Sequence, residues 1–457
     1  MTLGIQASPD TKAPAASPLP RTYRASQRRL VWRALAVVIT LAAFAATGAG
    51  LWVRSQLRAS LPRLDGTVAL AQLSAPVVIE RDAQGIPTIR GRSRLDVARA
   101  TGFLHAQDRF FQMDLARRRG AGELSALVGA RALEADREIR IHRFRAVARQ
   151  AVSLTTDRER EMLEAYADGV NAGLRALGAS PFEYLVLRQT PEPWKPEDTF
   201  LVVLSMFVTL QESDGAYEAT LATMHAVLPP AMFELLAPRG TEWDAPVEGP
   251  AFRVAPVPGP DVYDLRARRR NKPPVELTPE REQARDFGRT PLPAARRGAD
   301  RRSLTRRTGG AFEGAMWGGD AIGSNSWVVS GAHTSDGRPL VANDMHLVVR
   351  VPNTWYRAVL EWSDVSASGP PISADAPSSS SRDASGPRRL VGVTLPGTPA
   401  LVVGSNSHVA WGFTNTYADW SDIVLLDVDP SNANRYRTPE GWRDFERFEE
   451  VIRVAGE

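Results

Sequence analysis

Ser324 stands in Gly323-Ser324-Asn325-Ser326-Trp327, after an arginine-rich stretch of little apolar periodicity and at the opening of a clear strand pattern. The chain has no cysteine, so a nucleophile must be Ser, Thr, Lys or a carboxylate. Disulfides and thiolate metal sites are excluded with it. A cut between Gly323 and Ser324 gives Ser324 a free α-amine, whose ordinary pKa of about 7.7–8.0 suits a general base. Hydroxyl and base then belong to one residue, and no Ser-His-Asp arrangement is needed. The preceding glycine tolerates the strained backbone in which the hydroxyl attacks its own upstream carbonyl. On composition alone, Gly-Ser-Asn reads rather as a turn before a strand.

The elements that must hold this serine alternate in character along the chain. The 457 residues are 43% hydrophobic and 24% charged, an ordinary globular composition with length for about three domains. The net charge is +4 and lysine occurs only at Lys12, Lys195 and Lys272, so the basicity is scattered arginine. No basic face interleaved with aromatics is present, which argues against a nucleic-acid partner. Residues 1–33 form a Pro/Ala/Ser-rich, basic tail, followed by an uncharged run over 34–53. At about 1.5 Å per residue the run spans about 30 Å, a bilayer's hydrocarbon core. Arg21, Arg24, Arg28, Arg29 and Arg33 precede it, which orients the N-terminus to the cytoplasm and the rest to the periplasm. The reading is an inner-membrane anchor; a signal peptide cleaved near Ala43-Phe44-Ala45 is the alternative.

A hairpin is predicted over 76–90 around Asp82–Gly85, with helices over 96–128, 156–177 and 197–210. From about 254 to 315 the sequence reads as a flexible basic segment, and 363–387 as a Ser/Ala/Pro surface loop. Strands are predicted at 326–330, 339–342, 390–393, 400–403, 408–413 and 423–428. Helices first and strands later make an α+β protein. Phe110, Phe111 and Trp327 read as core aromatics.

Several short motifs then occur in one order: Val77–Pro87, Gly102-Phe-Leu-His-Ala-Gln-Asp-Arg-Phe-Phe-Gln-Met-Asp114, Arg117-Arg118 with Gly120 and Gly122-Glu-Leu124, and Glu164–Asn171. Gly323–Trp327, Asn343-Asp-Met-His-Leu347, Pro396-Gly397 and Trp411-Gly-Phe-Thr-Asn415 follow. Across about 62–450 the chain resembles the penicillin acylase family of N-terminal-nucleophile hydrolases. The resemblance implies a four-layer αββα sandwich, here incomplete, with a helical α-chain region at 62–252, a spacer at 253–323 and the start of a β chain at 324–457. It implies hydrolysis of linear amides such as β-lactam acyl side chains or acyl-homoserine lactones, after self-cleavage at Gly323-Ser324. Ser324 is then nucleophile and base, and the backbone N–H of Asn415 is an oxyanion donor. His346 matches a histidine that hydrogen-bonds near the nucleophile, although by itself it reads equally as a structural histidine. Met345 departs from the proline usual before it.

The resemblance further implies a structural calcium, with Glu218, Asp419, the Ser421 carbonyl and Asp422 as the matching positions, an all-oxygen set. A family β chain runs several hundred residues beyond its serine, so Ser324–Glu457 reads as C-terminally truncated, with a second oxyanion donor and further calcium ligands beyond Glu457. The alternative function is therefore a catalytically dead, unprocessed, membrane-tethered remnant.

Overall fold

The computed structural model describes residues 21–211, 215–243, 246, 248–264, 323–347, 349–363, 387–415 and 422–456. Most of the expected spacer and the expected Ser/Ala/Pro loop lie outside the described residues.

The chain opens with helix α1 (Arg21–Ala59), whose part Leu30–Ala59 is exposed, long and apolar enough to cross a bilayer; a signal sequence shares these features. Its end is tied to the body, where the Ala179 N–H donates to the Ala59 carbonyl at 3.1 Å. Strands β1 (Val78–Arg81) and β2 (Pro87–Gly91) form the expected hairpin. Asp82 shapes its turn by accepting from the Gln84 and Ile86 N–H groups, both at 2.9 Å.

Helix α2 (Arg94–Ala121) begins in a Ser93–Asp96 capping box and ends at Gly122, which takes the left-handed conformation at φ 64. The expected helix to Val128 is therefore broken: α3 (Ser125–Val128) is separate. After α4 (Leu133–Arg140) and α5 (Phe144–Leu154), Thr156 caps α6 (Asp157–Arg175). Then come α7 (Phe182–Leu187), α8 (Pro196–Leu210), α9 (Ala216–Val227) and α10 (Pro230–Leu236). Helices α2 and α6 cross in backbone contact: a Cβ on Gly102 would lie 2.2 Å from the Tyr166 carbonyl oxygen, and one on Gly169 1.9 Å from that of Arg99. Phe110, Met113, Tyr166, Val170, Tyr184, Trp194 and Val202 fill the core between α2, α6 and α8.

The main sheet has the order β1-β2-β5-β6-β7-β8. Strand β5 (Tyr356–Trp362) runs parallel to β2, with Thr88 opposite Val359, so the helices form the long crossover that a parallel pair needs. Antiparallel β6 (Arg388–Thr394), β7 (Leu401–Ser405) and β8 (Ala410–Trp411) follow. In β5 the buried Tyr356, Ala358, Leu360 and Trp362 alternate and pack with Ile89, Val97, Ala100 and Leu104. The sequence reading missed this strand, although that alternation was its signal. Conversely, residues 423–428 form no strand. Val424, Leu425 and Leu426 are exposed, and only Val428 makes an isolated bridge, to Tyr436. Strands β9 (Arg435–Thr438) and β10 (Gly441–Asp444), also unforeseen, make a small hairpin.

One buried polar chain joins helices to sheet. The Gly397 N–H donates to the Tyr166 hydroxyl oxygen at 3.0 Å, and that hydroxyl lies 2.7 Å from His105 Nδ1. His105 Nε2 lies 2.9 Å from Thr394 Oγ1, which is 3.3 Å from the Tyr356 carbonyl. A neutral His105 protonated on Nε2 satisfies every link in one direction; a second proton would strand the Tyr166 hydrogen. Burial, with Arg109 nearby, lowers the His105 pKa to about 3. The unfolded chain, at about 6.5, takes up the proton first. This contribution to stability is complete above about pH 6.5 and is lost as pH falls toward 3, by about 1.4 kcal/mol per unit. Urea unfolding of the wild type and His105→Gln between pH 7 and 4 should give a stability difference that shrinks with acidification. A difference flat across that range would refute the assignment.

A buried ion network sets α8. Arg117 donates from Nε to Asp114 at 2.7 Å, from Nη1 to Asp198 at 2.6 Å and to the Pro193 carbonyl at 2.9 Å, and from Nη2 to the Glu192 carbonyl at 2.8 Å. Arg145 holds the other Asp198 oxygen at 2.6 Å and Glu123 with both arms of its fork. The Tyr184 hydroxyl donates to Asp114 at 2.5 Å. The Pro191–Pro196 turn, α2, α5 and α8 are thereby fixed to one another.

Candidate active site

Strand β3 (Gly323–Val329) pairs antiparallel with β4 (Leu340–His346), setting Gly323 opposite His346 and Ser324 opposite Met345. Among the described residues β3 pairs with β4 alone, so Ser324 opens a two-stranded ribbon. Trp327, expected in the core, is exposed on it, whereas Phe110 is buried and Phe111 packs against the helical core.

The Asn415 backbone N–H donates to Ser324 Oγ at 2.5 Å, across 91 residues of sequence. This donor arrives at the end of the stretch that leaves β8, four residues after Trp411. Its side chain is gripped from the helices: Gln211, at the end of α8, donates to Asn415 Oδ1 at 2.8 Å, and Asn415 Nδ2 reaches the Leu210 carbonyl at 3.4 Å. Helical and strand regions therefore meet at the serine.

His346 lies beside the bond before the serine. Its Nε2 is 3.2 Å from Asp344 Oδ2 and 3.4 Å from Asn325 Nδ2. One nitrogen cannot donate to the carboxylate and accept from the amide at once; the carboxylate is the stronger partner. Nδ1 then faces Gly323, where a Cβ would stand 3.4 Å from it. His346 is exposed, and its neighbours are Asp344, Asn325 and Gly323.

The acidic positions are partly visible. Glu218 lies in the first turn of α9, and Asp422 is an exposed residue beside Ile423. A Cβ on Gly215, at the N-terminal cap of α9, would lie 3.3 Å from the Ile423 side chain, so the two segments adjoin. Asp419 and Ser421 lie outside the described residues. Among the described residues no group of three or more His, Asp or Glu can hold a metal ion.

A cavity of about 150 Å³ lies between α2, Met162 of α6 and the sheet, lined by Val97, Leu360, Trp362, Leu401 and Trp411 among others; Ser324 and Asn415 do not line it. Two residues that hold the segment around Asn415 were not singled out from sequence. Asn343 lay within a quoted motif without a role, and Gln211 carried no local signal, because its partner is 204 residues away.

Comparison with known proteins gives a consistent outcome. The family model described as penicillin amidase matches residues 76–457. The chain is 31% identical over 373 residues to the penicillin acylase 2 proenzyme of Pseudomonas sp. (strain SE83), covering 81% of this chain and 40% of that protein. It is 26% identical over 416 residues to the acyl-homoserine lactone acylase QuiP of Pseudomonas aeruginosa, covering 90% and 41%. The penicillin G acylase of Escherichia coli is 22% identical, covering 84% and 44%. A solved structure of the thermostable penicillin G acylase from Alcaligenes faecalis aligns with 38% of this chain at 25% identity and a TM-score of 0.33. The chain spans about two fifths of the length of the curated relatives it matches.

Proposed function

The chain belongs to the penicillin amidase family, and on that premise we propose that it is an amidohydrolase precursor whose nucleophile is Ser324. The observation that carries this reading is the Asn415 N–H held 2.5 Å from Ser324 Oγ. In the tetrahedral intermediate the oxyanion is the former carbonyl oxygen, bonded to the same carbon as Oγ, and a donor this close to Oγ stands within reach of it.

Two reactions follow from one geometry. In the first, Ser324 Oγ attacks the Gly323 carbonyl carbon, the Gly323–Ser324 C–N bond breaks, and the proton passes from the hydroxyl to the departing nitrogen. Water then hydrolyses the resulting ester, leaving a carboxylate on Gly323 and a free amine on Ser324. In the second, that amine takes the hydroxyl proton as Oγ attacks a substrate amide and delivers it to the leaving amine; water releases the acyl group. His346, against Gly323, steadies the bond that is cut first. The names of the relatives, penicillin acylase and acyl-homoserine lactone acylase, support a linear amide with an acyl side chain as the substrate class. The word proenzyme in one of them supports processing.

The same reading assigns 62–252 to an α chain, 253–323 to a spacer and 324–457 to a β chain of a four-layer sandwich. Helix α1 is assigned as an inner-membrane anchor or export signal, with the catalytic part in the periplasm. Intact mass and N-terminal sequencing of the purified chain test the core of it. A fragment beginning Ser-Asn-Ser-Trp is expected; a chain that remains whole is the result of the non-catalytic remnant.

Calcium is assigned to Glu218, Asp419, the Ser421 carbonyl and Asp422. The adjacency of α9 and Ile423 and the all-oxygen donor set suit it. When bound, the ion would pin the start of α9 to the segment beyond Asn415. Chelation is expected to lower the thermal midpoint by about 5–10 °C, with recovery on adding calcium but not in Glu218→Gln. An unmoved midpoint at millimolar calcium would remove the site.

A further inference from the structure

We propose that Asn343 is a positioning residue: its side-chain amide pins the Trp411–Asn415 segment to the β3–β4 ribbon and so aims the Asn415 N–H at Ser324. The inference rests on the reading of Ser324 and Asn415 given above.

Both ends of the Asn343 amide are used on one residue of that segment. Oδ1 accepts from the Phe413 N–H at 3.3 Å, and Nδ2 donates to the Phe413 carbonyl at 2.9 Å. The side chain thus does for Phe413 what an adjacent strand's backbone does in a ladder. Nδ2 also donates to the carbonyl of Asn325, the residue after the serine, at 3.0 Å. One planar amide therefore bonds to the backbone two residues before the oxyanion donor and one residue after the nucleophile.

The other hydrogen bond between the two pieces, among the described residues, is the contact of the Asn415 N–H with Ser324 Oγ itself. Among the described residues, no backbone–backbone hydrogen bond links 411–415 to the ribbon. Gln211 and Leu210 hold the Asn415 side chain from α8, which leaves the direction of its backbone N–H to the segment itself. The fit is close: a Cβ on Gly412 would lie 2.9 Å from Asn343 Cβ and 3.1 Å from its Cγ. The backbone therefore passes directly over the amide, and any side chain at 412 lifts it away.

Asn343 is half-buried, and water can replace its bonds when it is removed. The effect expected is on geometry at the serine, with the fold retained. A misplaced oxyanion donor costs about 10²-fold in turnover, while substrate binding before the reaction changes little.

The test compares the unaltered chain with Asn343→Ala and Gly412→Ala. Amide hydrogen exchange is read at Phe413 and Asn415, with β5 and β6 as internal reference. Alongside it are measured the rate at which the fragment beginning at Ser324 appears and, on processed chain, kcat and KM across a series of acyl p-nitroanilides. Expected in both variants are faster exchange at both amides by at least about tenfold, unchanged exchange in β5 and β6, slower processing, and a kcat fall of about 10²-fold with KM within about threefold. Unchanged protection of Asn415 in Asn343→Ala overturns the proposal. So does an unchanged kcat in an active enzyme. If the unaltered chain never yields the Ser324 fragment, the catalytic reading fails, and the exchange result still decides what Asn343 holds. Should Asn343→Ala not fold, Gly412→Ala keeps the amide, displaces the backbone and carries the same readouts.

Discussion

Replacing Ser324 by alanine is expected to leave the chain as one polypeptide under conditions in which the unaltered chain gives a fragment beginning at position 324. The effect is all-or-none because the proposed cleavage uses the hydroxyl of the residue that follows the bond, alanine has none, and the chain has no cysteine to take its place. A threonine at 324 retains the hydroxyl but adds a methyl on Cβ, beside an oxygen already 2.5 Å from its donor, so slow cleavage is expected there. Intact mass against time distinguishes the three chains. Cleavage of Ser324→Ala at the unaltered rate, in protein free of protease, would show that another group does the chemistry.

Arg117→Ala is expected to give the largest loss of stability. Asp114 and Asp198 are both buried, at 0% and 1% side-chain exposure, and Arg117 is the cation that bridges them. The two carboxylates hold the Arg117 guanidinium pKa above its ordinary value, and Arg117 and Arg118 hold that of Asp114 below its own. Truncation leaves two buried carboxylates short of a partner, the Glu192 and Pro193 carbonyls without donors, and the face of Trp194 without its cation. Breaking a buried pair in this way costs about 3–5 kcal/mol, which is about 10 °C in the thermal midpoint. Arg117→Lys keeps the charge without the fork and should fall between. A midpoint within about 2 °C of wild type for the alanine variant would show that Arg118 and Arg145 suffice. Because the network fixes α8, and α8 delivers Gln211 to Asn415, slower processing should accompany the loss.

What the sequence determined by itself was local. Residue type and position drew attention to Ser324 and the family resemblance to Asn415, while alternation with turn residues indicated the hairpin at 76–90 and the strands at 326–330 and 339–342. The helix starts expected at 96 and 156 lie within two residues of those the structure shows, Arg94 and Asp157. Each of these depends on neighbours a few positions away, through side-chain periodicity or a cap.

The misses share the opposite character. Helix α2 stops at Gly122, which takes the left-handed conformation and packs so closely on the next segment that a Cβ would lie 2.8 Å from the Asp136 carbonyl oxygen. The apolar run 423–428 is not a strand: only its end meets β9, where Val428 bridges Tyr436, and hydrophobicity alone cannot supply a pairing partner for Val424, Leu425 and Leu426. Trp327 is exposed on a ribbon whose face the local pattern could not assign.

Tertiary structure alone decided that Asn415 meets Ser324 and that Gln211 and Asn343 hold the segment around it. The Asn415 N–H is one of many identical backbone donors in the chain. What distinguishes it is where β8 leaves the sheet, how Asn343 holds Phe413 across 70 residues, and where the buried Arg117 network sets α8. Closure of such long loops leaves no periodicity in the intervening residues, because its entropy is offset by the packed core as a whole. The chemistry could be proposed from a set of short motifs in order, but the geometry that would let it act needed the fold.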